Sequence, residues 1–381
     1  MKTKPSLLLL IILIMFPQFV ETIYSPALPS ISEEFNVTNE EASQTISIYF
    51  LAFAIGVIFW GIAADKIGRR KAMIYGLITY SIGSILALIA TNFNIIMIAR
   101  VISAFGIAVG SVVTQTIFRD LYDKKELGKV FSIIGIALSI SPVLGLLLGG
   151  IVVKNYGIIG VFSSLVFLSF VLGIASFKFL PETKKELDLK INFKELVRAL
   201  LCDQLIWLSV VLVAAFNIML FCYYSLAPFI FDKLGYSSTQ FGYSGILLAT
   251  SSLIGGIINK KMIHNNVSST VLILVASIIA TIGGLGTLLL QDSLYFLVPM
   301  IFVVIGFSIA IPNILSEALV KYRDVAGTAG ALFGLMYYIL IGIGLAISGL
   351  IQNLGLILTI LSCFSFVLAI VYKRVTPSNE Q

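Results

Sequence analysis

Twelve long apolar runs leave this chain almost no choice of solvent. They fall at about residues 6–28, 43–64, 72–91, 94–116, 128–152, 157–179, 204–230, 239–259, 268–290, 294–316, 326–350 and 354–372. An α-helix needs roughly 20 apolar residues to cross a hydrocarbon core of about 30 Å, and the runs are about twice as long as membrane-barrel strands. A spanning segment must also satisfy its backbone N–H and C=O groups internally, so the runs read as helices and the chain as an all-α membrane protein. Composition points the same way. Of 381 residues 59% are hydrophobic and 12% charged, with a mean hydropathy of +1.04, too little polar surface to coat a soluble globule. Twelve crossings with short loops use up the length and leave no room for a soluble catalytic domain.

The basic residues test this division, because misplacing one helix would swap the parity of every later loop. With the N-terminus inside, 22 of the 25 Lys and Arg residues fall on inward segments. Only Lys154 and Lys233 lie outward, and Arg100 lies within a helix. This asymmetry predicts cytoplasmic N- and C-termini. The first outward loop fits, carrying Glu33, Glu34, Glu40 and Glu41 without a basic residue. A net charge of +6 spread between apolar runs marks membrane topology, not a nucleic-acid partner. The opening MKTKPSLLLLIILIMF has two lysines before an apolar run, as a signal peptide does, and Ser25 and Ala27 are the small pair where cleavage would fall. The stretch continues to about Val20, longer than most signal cores, which favours an uncleaved first helix. The Asn36-Val37-Thr38 sequon reads as helix-cap chemistry.

The longest loop separates six helices from six, giving an N-terminal bundle over 1–179, a cytoplasmic loop over 180–203 and a C-terminal bundle over 204–381. Within it Leu187, Leu189, Ile191, Phe193, Leu196, Val197 and Leu200 leave room for a short amphipathic surface helix; a solvated linker with a helical end is the equal alternative. The halves share faint parallels: Tyr24, Ser25 and Pro26 with Tyr224, Ser225 and Pro228, and Gly61, Asp65 and Lys66 with Gly255, Asn259 and Lys260. With the six-plus-six division these point to a duplicated transporter architecture.

Chemistry must come from few residues. Cys202, Cys222 and Cys363 form no CxxC pair and His264 is the single histidine, so no disulfide, metal site or cofactor is expected. An intramembrane enzyme would need a nucleophile and base or a metal cluster, which a single histidine and the lack of HExxH disfavour, and a nucleotide-driven pump would need GxxxxGK[ST], which the sequence lacks. Glu21 is the one acidic residue well inside an apolar run and Arg100 the one basic residue, which makes both functional candidates. Counting about 1.5 Å per residue from Ser6 and from Asn94 puts Glu21 about 22 Å along helix 1 and Arg100 about 9 Å into helix 4, at similar depths in the outer half. An isolated charge there costs about 2.5–3.5 kcal/mol or more. A neutral carboxyl then competes near neutral pH, as a proton carrier requires. The alternative is a Glu21 that snorkels to water at the outer lipid interface.

GIAADKIGRRKAM, from Gly61 to Met73, stands between helices 2 and 3. Gly61 would permit close helix approach, Gly68 a turn, and the cations would complement the partial charge of a helix C-terminus. With Gly61, Ala64, Asp65, Lys66, Gly68, Arg69 and Arg70 in place, the segment resembles the helix 2 to 3 signature of the major facilitator superfamily. In helix 5, SPVLGLLLGG places Ser141, Gly145 and Gly149 on one smooth stripe beside Pro142, and Gly150 follows. It resembles the motif of the antiporter branch, though such stripes also serve ordinary packing. YSPALPSI at Tyr24–Ile31, Arg100–Tyr122, LPET at Leu180–Thr183 and APF at Ala227–Phe229 are similar to the Bcr/CflA-type drug-efflux subfamily. The chain departs from that pattern at Thr22, where members place an Asp, with its carboxylate at Glu21, and at Ala104, where they place a Gly.

The resemblance implies two six-helix bundles in a bacterial inner membrane, monomeric, working on a small-molecule substrate by alternating access with the proton gradient as energy source. It assigns Arg100 to proton coupling, with Glu21 as the expected carrier, and makes Asp65, Arg69 and Asp120 a cytoplasmic latch. Expected cavity residues are Tyr24, Tyr49, Gln115, Asn217, Tyr223, Tyr224, Asn313, Tyr337 and Tyr338, each equally a belt or packing residue. Pro312 and Asn313, near the middle of helix 10, and Glu317 break that apolar run together. Efflux of lipophilic or cationic compounds is the first reading; a permease for one metabolite, such as a siderophore, amino acid or organic acid, is the second.

Overall fold

The computed structural model describes residues 5–122, 124–184 and 193–376, and all regular structure among them is helical. In chain order the α-helices are α1 (Leu7–Tyr24), α2 (Leu28–Glu34), α3 (Asn39–Ile67), α4 (Arg69–Leu88), α5 (Phe93–Leu121), α6 (Lys124–Phe179), α7 (Phe193–Cys202), α8 (Gln204–Lys233), α9 (Ser238–His264), α10 (Ser269–Leu290), α11 (Leu297–Ala318), α12 (Ala326–Ile351) and α13 (Leu354–Val375). Eleven apolar stretches are long enough to cross a membrane, and the one in α6, at 47 residues, is long enough to cross twice. Its two halves are divided at Gly157, where φ is +60° and ψ −156°, a conformation open to glycine. The two predicted helices there are thus joined through one residue and not by a loop. The exterior is apolar: Leu289, Ile257 and Phe167 are 83%, 68% and 67% exposed, which suits lipid and not water.

Several helices run past the apolar runs because polar residues continue them. Thr38 accepts from Glu41 N and the Glu41 carboxylate accepts from Thr38 N, a capping box that starts α3 four residues before the expected apolar segment. Glu33 and Glu34, expected in a loop, end α2, and Glu40 and Glu41 form the first turn of α3. α7 is amphipathic, burying Leu196 and Leu200 while exposing Lys194 and Arg198. This favours the surface-helix reading for residues 193–202; Leu187, Leu189 and Ile191 lie outside the described residues. Asp203 caps α8 through Leu205 N and holds Lys321 at 3.1 Å and the Tyr322 hydroxyl at 3.2 Å. Pro312 and Asn313 sit in the last two turns of α11 and not near its middle.

The described chain forms two compact units, Met1–Lys190 with Ser237–Gly245, and Ile191–Tyr236 with Ile246–Gln381. Each repeats the same close backbone contacts at a spacing of 200 residues. A Cβ at Gly83 would lie 2.9 Å from Ala99 O, and one at Gly283 2.8 Å from Pro299 O. A Cβ at Gly106 would lie 2.8 Å from Gly76 O, and one at Gly306 2.7 Å from Ala276 O. These contacts seat α4 on α5 in one unit and α10 on α11 in the other. They also correct the parallel drawn between Gly61 and Gly255. Gly255 meets Ile305 O and Ser308, and the residue that meets the counterparts Phe105 O and Ala108 is Gly56. At Gly61 a Cβ would only touch Val112 at 3.6 Å, an ordinary contact, so the close approach on α3 belongs to Gly56.

Gly83→Ala is expected to destabilise the protein by about 1–3 kcal/mol, the usual cost of overpacking. Gly256→Ala, where nothing lies within 4 Å, should hold or slightly raise the melting temperature. Thermal melts of the two variants in detergent check this.

Candidate functional site

The expected carboxylate and guanidinium come together inside the first unit. Pro17 has no N–H, so Leu13 O loses its helical partner, and α5 approaches that carbonyl at Gly110, where a Cβ would lie 2.7 Å from it. On another side the stripe on α6 receives α1: Ser141 donates to Met15 O at 3.1 Å, Gly145 lies against Thr22 and Gly149 against Ile23 O. Gly150 O accepts from Ser238 and Thr239 at 3.2 Å each. Held this way, α1 buries Glu21 to 2% exposure, and α5 buries Arg100 to 2%. Glu21 therefore faces protein and not lipid.

Arg100 is close enough for its charge to act on Glu21, yet the two make no ion pair within 4 Å. Its guanidinium instead sits between two aromatic faces, 4.0 Å from the Tyr24 ring centre and 4.4 Å from that of Tyr49. Arg100 Nε donates to Thr45 O at 3.3 Å, while Arg100 Nη2 and Glu21 Oε1 have no hydrogen-bond partner. Tyr49 is fixed from behind, its hydroxyl donating to Pro17 O at 3.2 Å and its ring stacked on Phe53.

A second charged group lies at the basic end of the same unit. Arg69 Nη1 pairs with Asp65 at 2.6 Å and Arg69 Nε with Asp120 at 3.0 Å. The Asp65 side chain is 70% exposed and that of Asp120 9%, so solvent screens the first pair far more than the second. Gly68 turns the chain at φ +98°, and the space a Cβ would fill there holds the Glu182 carboxylate. Glu182 accepts from Arg69 N at 2.9 Å and Arg70 N at 3.2 Å, so it caps the first turn of α4 from the far side of the sequence. Arg70 in turn donates to Phe177 O at 2.6 Å, and Thr183 to Asp120 at 3.4 Å. In the sequence the LPET segment is only a mark of likeness. Its carboxylate beside a glycine-led helix start is the signal that could have identified Glu182.

The remaining candidates divide between the units. Gln115 reaches Ser111 at 3.5 Å in the first. In the second, Asn217 donates to Val213 O at 2.8 Å, and Tyr223 and Tyr224 are buried with ring centres 6.0 Å apart. Tyr337 and Tyr338 are half-buried with rings 4.5 Å apart. Asn313, an expected cavity residue, donates to Asn259 at 2.7 Å; the partner was not foreseen, because Asn259 lies 54 residues away on another helix.

Burial works against ionisation of Glu182, but the amides of Lys184, Arg69, Arg70 and Thr183 outweigh it and hold the carboxyl below its ordinary value. A depressed acid stabilises fully above the unfolded value of about 4.3, and that stability is lost as pH falls through the folded one. Glu182→Gln should thus cost on the order of 1 kcal/mol at pH 7, as a lost cap does, with the gap to wild type closing below about pH 4. Melting curves over pH check it.

The sequence pattern of the Major Facilitator Superfamily matches residues 9–345. An uncharacterized transporter of Rickettsia bellii is 33% identical, over 97% of this chain and 98% of its own. A bicyclomycin resistance protein homolog of Haemophilus influenzae is 26% identical, over 85% of this chain and 83% of its own. Among solved structures, a D-xylose-proton symporter has the same fold, with a TM-score of 0.79 over 98% of both chains at 14% identity. Twelve crossings, duplicated helix contacts and this match over most of the length together establish that the chain belongs to the Major Facilitator Superfamily of transporters.

Proposed function

We propose that the protein is a proton-coupled antiporter that exports lipophilic or cationic small molecules by alternating access. It acts as a monomer in a bacterial inner membrane, with both termini in the cytoplasm and the proton gradient as its energy source. One observation carries the reading: a carboxylate and a guanidinium, each 2% exposed, lie within electrostatic reach but are not paired. An ion pair locked together would have no reason to exchange protons. A buried carboxyl beside an unpaired cation can load a proton from one side and release it when the cation or a cationic substrate takes its place. Efflux is supported by the small-residue stripe of α6 packed on the helix that bears Glu21, and by the likeness to a bicyclomycin resistance protein homolog. The excess of Lys and Arg on alternate loops supports the orientation.

Arg69, Asp65 and Asp120 serve in this reading as a latch made and broken during the cycle. Because Asp120 is the buried partner, removing it leaves Arg69 without its strongest counter-charge. Asp120→Asn is therefore expected to slow transport more than Asp65→Ala, at similar expression; equal rates in both variants and wild type would remove the latch.

The carrier assignment is tested in liposomes with an imposed pH difference, following proton flux as lipophilic and cationic compounds are added. Wild type should couple flux to at least one such compound, and Glu21→Gln should lower pH-driven transport by tenfold or more, about 1.4 kcal/mol. Full pH-driven transport by Glu21→Gln would show that the carrier is elsewhere.

A further inference from the structure

Arg100 has been given a resting place that is not Glu21. The two tyrosine faces at 4.0 and 4.4 Å and the Thr45 carbonyl hold the guanidinium from three sides. A desolvated cation between aromatic rings is strongly attracted to them, so this arrangement competes with the ion pair. The walls are anchored independently of the cation. Tyr49 is bonded to Pro17 O, one turn before Glu21 on α1, and Tyr24 lies against Phe162 of α6. The same short stretch of α1 thus carries the carboxylate, one aromatic wall and the anchor of the other.

Among the described residues, Arg100 is the charged group that acts on Glu21. Of the helices packed on α1 or on Arg100, α3 sets Thr45 on Arg100 and Tyr49 on Pro17, α4 sets Tyr80 on Phe16, and α6 sets Ser141 on Met15, Gly145 on Thr22 and Gly149 on Ile23, all uncharged. A guanidinium on the rings, as found, and one on the carboxylate would act on Glu21 in opposite ways. On the carboxylate it stabilises the ionised form; on the rings it withdraws that support and the proton is held more tightly.

We infer that Tyr24 and Tyr49 are positioning residues, a parking site that keeps the Arg100 guanidinium off Glu21 and so sets the pH at which Glu21 takes up its proton. The inference rests on the reading of Glu21 as proton carrier. In the uptake step a proton from water bonds to the Glu21 carboxylate and Arg100 settles on the rings; in release the proton leaves for water and Arg100 returns to the carboxylate.

The test needs no transported substrate. Infrared spectra of the full-length protein in liposomes are recorded over pH, and the carboxyl C=O band of Glu21 is isolated as the difference between wild type and Glu21→Gln. Replacing both walls, Tyr24→Leu with Tyr49→Leu, should lower the half-protonation point by about one pH unit or more, a tenfold weaker hold on the proton. Tyr24→Phe with Tyr49→Phe keeps both faces, the second still stacked on Phe53 though without its bond to Pro17 O, and should titrate closer to wild type than to the Leu pair. Each single Leu variant should fall between, which guards against misfolding of the double variant. Leu variants that titrate as wild type, or Phe variants that shift as far as the Leu ones, would overturn the parking site while leaving Glu21 as carrier. A Glu21-dependent band absent at every pH would overturn the carrier reading itself.

Discussion

In hydrocarbon, helices gain little by hiding apolar side chains from lipid, because lipid tails are as apolar as leucine; they associate through close packing. Where backbones can touch therefore decides where every side chain goes. Gly83 and Gly106 bracket Arg100 along the α4–α5 contact, and Gly110 brings α5 against the carbonyl freed by Pro17 of α1. Gly145 and Gly149 bring α6 against Thr22 and Ile23, the residues just after Glu21. The carboxylate and guanidinium are neighbours because three helix contacts of this kind converge on them.

The two arginines of the first unit that the structure buries are stabilised in different ways. Arg69 lies at a helix end, where Asp120, Asp65 and a backbone carbonyl serve its guanidinium. Arg100 lies within a span and has rings in place of carboxylates. An isolated arginine there costs about 2.5–3.5 kcal/mol or more, and a desolvated cation–π contact returns about 2 kcal/mol or more. Two such contacts are of the same size as the penalty, so Arg100 can stay charged without a counter-ion. On the proposed reading, that balance leaves the charge of Glu21 free to change, which an obligatory ion pair would forbid.

How much of this was legible follows from what each feature depends on. The crossings depend on apolar length alone, and their number and approximate bounds could be read directly. Their ends could not, because Thr38 and Glu41 extend α3 by hydrogen bonding and Gly157 replaces a loop by one left-handed residue. Depth counting along two helices brought Glu21 and Arg100 together. The clamp stayed hidden because Tyr24 and Tyr49 look like any other aromatics near a membrane surface. Glu182 stayed hidden because it acts on a helix start 112 residues away, a distance no local pattern spans. The register of the repeat differs from the one that Asp65 and Asn259 suggest, because the helix contacts align Gly56 with Gly255.

That register also separates what duplication kept from what it did not. At a spacing of 200 residues, set by the paired contacts of Gly83 with Gly283 and Gly106 with Gly306, Arg100 corresponds to Met300. The Tyr-Ser pairs at 24–25 and 224–225 have the same spacing and place Phe221 opposite Glu21. Both replacements are buried and apolar. The backbone contacts are therefore common to the two units, while the titratable pair is confined to the first. The second unit answers with neutral groups, the Asn259–Asn313 amide pair and the Tyr337–Tyr338 rings. Packing in a bilayer demands the same small residues wherever two helices must meet, so it is preserved on both sides. A buried charge is costly wherever it stands, and on the proposed reading one site able to toggle suffices for coupling.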